Sequence, residues 1–280
     1  MELRVEWLGR IGYQAAWERQ HELVAARAAG TIPDTLLLLE HDPVLTLGRH
    51  ADPSHVLAPP ELLAARGIAV LNVERGGEVT YHGPGQLVAY PIVRLADAGL
   101  LLRPFVRALE GAMADTCATW GITADRRDGY PGCWVAPEAP FPRKIGALGL
   151  RVEKGVTYHG IALNITTDLA DFGLIDPCGM TGLTVTSVAR ELGWTGPEAQ
   201  PSTAGVEEAG RRFAAAFARR LDVAVADSAR ASAPAPAPAP GPASDPSSAS
   251  APASGSASAS ASAPASAAGS TSAAPSSAAA

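Results

Sequence analysis

The sequence predicts an α+β fold, a mixed β-sheet packed with helices, on two observations. Strand-like runs outnumber helical ones, and several neighbouring strands are joined by short turns rather than by helical crossovers. In chain order, "LRVEWL" alternates like a strand, and "YQAAWERQHELVAARAAG" reads as an amphipathic helix closed by Gly30. "TLLLLEH" and "VLTLGRH" are strand-like and are interrupted by Asp42-Pro43. "PELLAARG" predicts a short helix opened by Pro60 and ended by Gly67, leading into the strand "IAVLNV". "GQLVAYPIVRL" reads as another strand and "LRPFVRALEGAMADTCATWG" as a long helix. "KIGALGLRVEKGVTYHGIALNI" predicts a β-hairpin, two apolar-rich runs around a Glu-Lys-Gly turn, and a last helix spans about 205–220.

The chain has 280 residues, but its C-terminal end is a different material. From Ala231 on it is almost entirely Ala, Pro, Ser, Gly and Thr, with Asp245 the sole charge. Such a segment lacks the branched apolar and aromatic residues needed to offset the entropy of ordering it. Residues 226–280 are therefore expected to be a disordered tail, and residues 1–225 one folded domain with a substantial core. The interspersed Pro, Ser and Gly argue against an Ala-rich helix there.

The formal net charge is −6. A mildly acidic chain argues against nucleic acid or anionic membrane as the main partner. No apolar run approaches the ~20 residues that span a bilayer, and "MELRVEWLGR" lacks a charged-then-apolar signal pattern. Three cysteines without paired spacing fit a reducing cytoplasm better than a disulfide framework, and give no zinc pattern.

The pentapeptide "VTYHG" occurs twice, from Val79 to Gly83 and from Val156 to Gly160. The first copy sits in "RGGEVTYHGPGQ", whose glycines permit left-handed backbone and close approach of a ligand or chain. This stretch lacks the Lys-Ser/Thr ending of a P-loop, so a bulged strand and tight turn, with His82 bonded to backbone, competes with ligand binding. In the second copy, regular strand alternation puts Tyr158 and His159 on opposite faces, with Gly160 leaving a gap beside them. If both copies line one cavity, each offers a histidine and a stretch of bare backbone.

Lysine usage is a sharper clue. Of 22 basic residues only Lys144 and Lys154 are lysines. Arginine holds its proton throughout the accessible pH range, whereas a partly buried lysine can release it. Lys154 lies in a turn and reads as a solvated charge; Lys144 begins an apolar run, so its ammonium can point into a pocket. Cys117 and Cys133 read as core residues. Cys178, in the loop "DPCGMTG", is either structural or a displayed nucleophile.

Together, "RGGEVTYHGPGQLVAYPI", "KIGALGLRV", "YHGIALNI" and "PCGMTGLTVTS" resemble the lipoyl(octanoyl) transferases, in the order and at the distances of that family, over about residues 5–221. The resemblance implies the mixed-sheet fold of the biotin and lipoate protein ligase catalytic domains. It implies a catalytic pair at Cys178 and Lys144. It maps the acyl pocket onto Arg75, Gly76, Gly77, Glu78, Val79, Thr80, Tyr81 and His82, onto Ala147, Leu148 and Gly149, and onto Gly160, Ile161 and Ala162. The implied reaction carries an octanoyl group from the phosphopantetheine of acyl carrier protein, through a cysteine thioester, to a lysine of lipoyl domains. The acceptors implied are the lipoyl domains of 2-oxoacid dehydrogenase complexes and the glycine cleavage H protein. No metal or dissociable cofactor is implied, and a cytoplasmic monomer is expected. His82 and His159 are expected to shape the pocket through hydrogen bonds to backbone. An ATP-dependent lipoate or biotin protein ligase is the alternative. Two departures stand out: Cys133 replaces a plain apolar residue, and the tail has no counterpart in the family.

Overall fold

The computed structural model describes residues 2–177 and 182–227. Cys178 and the tail beyond Asp227 lie outside the described residues.

Two sheets organise the chain. Strand β1 (Glu2–Ile11), helix α1 (Tyr13–Ala28) and β2 (Asp34–His41) open it, followed by β3 (Val44–Leu47), α2 (Pro60–Ala65), β4 (Ala69–Asn72), β5 (Val79–His82) and β6 (Gln86–Ile92). After helix α3 (Leu102–Ala118) come β7 (Ala124–Arg127), β8 (Tyr130–Val135), β9 (Arg143–Glu153) and β10 (Val156–Asn164). Helices α4 (Val188–Leu192) and α5 (Thr203–Leu221) and strand β11 (Ala224–Asp227) complete the described fold. The large sheet has the order β11-β1-β2-β6-β10-β9-β8-β7 and the small one β4-β3-β5. Within the large sheet β1 is parallel to β2 and β11, and the remaining pairings are antiparallel. The predicted α+β class with a mixed sheet is thus observed.

Burial on both faces explains the leucine run of β2. Leu36 and Leu38 face a core shared with α3 and α5, while Leu37 and Leu39 face a second core built on α1. A third core, with Leu45, Leu47, Val79 and Tyr81, fills the small sheet. The two strand-like runs on either side of Asp42-Pro43 therefore belong to different sheets. β11 carries the described fold two residues past the expected boundary at 225, because Asp222 adopts the left-handed conformation (φ 55°) and turns the chain back alongside β1. Between β9 and β10, Lys154 (φ 51°) and Gly155 (φ 78°) form a two-residue turn with both angles positive, the hairpin geometry that matches strand twist. Among the described residues no helix is long and apolar enough to cross a membrane.

Candidate active site

A cavity of about 510 Å³, counting its open mouth, lies between β5 of the small sheet and the β9–β10 hairpin of the large one. Arg75, Gly77, Glu78, Val79, Thr80 and His82 supply one wall; Ala147, Leu148, Gly149, His159, Gly160, Ile161 and Ala162 supply the other. Tyr13, Tyr90 and Lys144 complete the lining. Both pentapeptide copies meet at this cavity.

Two of the residues mapped onto the pocket do not line it. Gly76 turns its amide to Leu150 O (3.0 Å), stitching the loop before β5 to β9. Tyr81, between Thr80 and His82, is directed by strand alternation into the small core, its ring 5.5 Å from that of Phe172. Conversely, nothing in the sequence singled out Tyr13 or Tyr90. They look like ordinary helix and strand residues, and only the packing of α1 and β6 brings them to the cavity.

Missing side chains set the shape of the site. Gly149 and Gly160 face each other in the β9–β10 register. A Cβ on Gly149 would lie 2.8 Å from Gly76 O, and one on Gly160 would collide with Ala89 O. Only glycine lets the Arg75–Gly77 loop and β6 approach the hairpin so closely. Arg75 is consumed by the scaffold: its Nη2 donates to Thr46 O (2.6 Å) and Oγ1 (2.8 Å), and its Nη1 to Gly76 O (3.1 Å).

Three buried histidines stand around the cavity. His41 donates from Nδ1 to Ile11 O (3.0 Å), so its Nε2 accepts from Tyr90 OH (2.8 Å). Burial pushes its pKa down to about 4. Burial and the neighbouring His41 push His82 down to about 3, and burial pushes His159 to about 3 despite the carboxylate of Glu74. All three rings are neutral near pH 7. The expected hydrogen bonds to backbone are not what holds the two pocket histidines. His82 Nδ1 bonds the side chain of Gln86 (2.7 Å), and both ring nitrogens of His159 are buried without a hydrogen-bond partner among the described residues. Glu74 Oε1 lies 3.9 Å from His159 Nε2 and is held by Trp17 Nε1 (2.9 Å) and His21 (2.9 Å). Nor do Tyr158 and His159 face opposite ways. His159 has φ 54°, which breaks the pleat, and its ring stacks on Tyr158 at 4.8 Å.

Lys144, the lysine singled out by sequence, is 7% exposed and lines the cavity, whereas Lys154 is exposed in the turn. Its Nζ lies 5.2 Å from the centroid of Trp134. Gly132 makes room for its stem, since a Cβ there would lie 2.9 Å from Lys144 Cε. The Lys144 backbone pairs with the chain that follows the Cys178 segment: its N–H donates to Thr184 O (2.9 Å) and its carbonyl accepts from Thr186 N–H (2.9 Å). On the other flank, Asp176 N–H donates to His55 O (2.8 Å) and Ile175 bridges Val56. Cys117 and Cys133 are buried in the core, as expected, Cys133 within β8.

The chain is similar to known proteins. The family model "Lipoyl protein ligase A/B catalytic domain" matches residues 12–218. An octanoyltransferase of Chloroflexus aurantiacus is 49% identical over 213 residues, covering 76% of this chain and 94% of that protein. One from Mycolicibacterium gilvum is 45% identical over 225 residues, covering 80% and 87%. Among solved structures, a putative lipoate protein ligase from T. acidophilum (TM-score 0.59, 16% identity, 81% and 88% coverage) shares the fold. So does a lipoate-protein ligase A bound with ATP (TM-score 0.59, 15% identity, 81% and 89% coverage). The chain belongs to the lipoyl protein ligase A/B catalytic-domain family and, within it, to the octanoyltransferases.

Proposed function

We propose that this enzyme takes an octanoyl group from octanoyl-acyl carrier protein onto Cys178 and passes it to a lysine amine of a lipoyl domain, with Lys144 moving the proton. The observation that carries the reading is Lys144: a buried lysine in an arginine-rich chain, lining the cavity where both pentapeptides meet, and paired through its backbone with the segment that follows Cys178.

The chemistry follows from the donor. A thioester is already activated, so no nucleotide or metal need drive the transfer. The Cys178 thiolate attacks the thioester carbonyl and the tetrahedral adduct collapses to octanoyl-cysteine, while the leaving phosphopantetheine sulfur takes a proton from the Lys144 ammonium and so leaves that amine neutral. A nearby ammonium favours the thiolate form of Cys178. The lipoyl-domain amine then attacks the octanoyl-cysteine, one of its protons passes to neutral Lys144, and the cysteine leaves as thiolate. Arginine could not substitute at this step, because it does not give up its proton to become a base. The acceptors proposed are the lipoyl domains of 2-oxoacid dehydrogenase complexes and the glycine cleavage H protein.

Intact-protein mass after mixing with octanoyl-acyl carrier protein, without ATP or Mg²⁺, tests the reading. The expected result is one octanoyl adduct, released by hydroxylamine and missing from Cys178→Ala. Transfer that requires ATP, with no adduct, would point to the ligase chemistry of the structural neighbours instead.

A further inference from the structure

A chain of buried amides links the cavity wall to the backbone that holds Lys144. His82 Nδ1 lies 2.7 Å from Gln86 Oε1; Gln86 Nε2 lies 2.9 Å from Asn164 Oδ1 and 3.2 Å from Tyr81 O; Asn164 Nδ2 lies 3.0 Å from Thr186 O. Gln86 and Asn164 are cross-strand partners on β6 and β10, 2% and 4% exposed. Thr186 N–H in turn donates to Lys144 O, and Thr186 Oγ1 to Glu191, which is clasped by Arg143.

The direction of every bond in this chain follows from its ends. Tyr81 O and Thr186 O are backbone carbonyls and can only accept, so the NH₂ groups of Gln86 and Asn164 must face them. That leaves Asn164 Oδ1 toward Gln86 and Gln86 Oε1 toward His82. His82 therefore donates from Nδ1, and in its neutral ring Nε2 carries the lone pair. The ionisable groups around the ring are His41 on β2, Tyr13 on α1, Arg75 before β5 and His159 on β10. Among them Arg75 and the other histidines disfavour a second proton, in keeping with a pKa pushed down mainly by burial. Nothing in the transfer chemistry above uses this acceptor.

We infer that Gln86 and Asn164 are positioning residues: they lock His82 as a neutral Nδ1–H ring whose Nε2 accepts a hydrogen bond from an N–H of the substrate, and they brace through Thr186 the backbone that carries Lys144. The inference rests on the acyl-transfer reading for its substrate. An N–H arrives from either of two sources, the amides of the phosphopantetheine arm or the attacking lysine amine. His82 accepts the hydrogen bond and takes no proton, so the proton balance of the transfer is unchanged.

The test has two independent parts. First, ¹⁵N NMR of histidine-labelled protein should show His82 as the Nδ1–H tautomer, and Gln86→Leu should abolish that preference. An Nε2–H ring in the wild type, or an unchanged tautomer in the variant, overturns the inference. Second, acylation by octanoyl-acyl carrier protein and transfer from the isolated acyl-enzyme to a lipoyl domain are timed separately. Gln86→Leu should slow one half-reaction about tenfold more than the other. Selective loss of acylation identifies the pantetheine amide as the donor, and selective loss of transfer identifies the amine. Equal slowing of both, or change in neither, overturns the inference. Should Gln86→Leu not fold, Gln86→Met, unbranched and without an acceptor oxygen, takes its place, and the wild-type tautomer still decides. A wild type that forms no acyl-enzyme defeats the function reading, while the tautomer measurement continues to judge the lock.

Discussion

The pentapeptide Val-Thr-Tyr-His-Gly is built twice in this molecule, and the two copies differ in almost everything but their destination. The first forms β5, antiparallel to β3 in the small sheet; the second opens β10, paired with β9 in the large one. In the first, strand alternation holds, so Thr80 and His82 face the cavity while Tyr81 fills the small core. In the second, His159 takes a positive φ and its ring stacks on that of Tyr158. His82 is tied to Gln86; the His159 ring nitrogens are buried with no bond among the described residues. Identical local sequence does not make identical local structure. Propensities of about 1 kcal/mol are overruled by what packs around each copy.

Four experiments break or sharpen this comparison, the largest effect first. Between the two copies lies Lys144, and Lys144→Arg should lower octanoyl transfer at least about a hundredfold, in the range of lost general acid–base catalysis. Transfer assays at saturating lipoyl domain measure it, and near wild-type turnover would remove Lys144 from the proton-transfer role.

The glycines that end the copies come next. Gly160→Ala sets a Cβ against the backbone oxygen of Ala89 and 2.7 Å from Pro91 Cδ, groups that cannot give way without moving β6. A loss of about 3 kcal/mol is expected by urea unfolding. At Gly83 the added Cβ meets the ring of Tyr81, a side chain. Gly83→Ala should cost less, and equal losses would show that both sites are equally rigid.

Acid should then reveal the buried histidines. Their folded pKa values lie below the ordinary 6.5, so the unfolded chain takes up protons first as pH falls. Stability is complete above about pH 6.5 and declines toward pH 3–4, by up to about 2 kcal/mol per histidine at pH 5. Urea midpoints at pH 7 and pH 5 should therefore separate, and His159→Asn should narrow the gap. An unchanged gap would mean that His159 is not held neutral.

The smallest effect is at the turn before the second copy. Lys154 pays a steric penalty at φ 51° that asparagine tolerates better. Lys154→Asn should raise stability by about 0.5 kcal/mol, seen as a small rise in Tm.

The elements were legible because their periodicity is strong. The β9–β10 hairpin announces itself by Glu-Lys-Gly between apolar runs, and β2 by unbroken leucines that need two covered faces. Lys144 could be picked out because only two of the 22 basic residues are lysines and the other, Lys154, lies in a turn. The glycine-rich walls were legible through the resemblance to a family, which rests on four separated stretches rather than on any one. Tyr13 and Tyr90 were not, because a tyrosine at a helix start or in an apolar strand has many ordinary explanations. The kink at His159 was equally hidden, for a histidine in a strand carries no mark of a positive φ.

Patterns of apolar residues, glycines and the two lysines are written along the chain, so the sequence by itself determined the fold class, most of the longer elements, the family and the candidate residues. Side-chain direction, hydrogen-bond partners and the orientation of Gln86 and Asn164 depend on atoms brought together from distant segments, as at His159 N–H and Gln20, 139 residues apart. Those the tertiary structure alone decided. A buried polar group takes whichever partner packing offers, and sequence spacing holds no record of that choice.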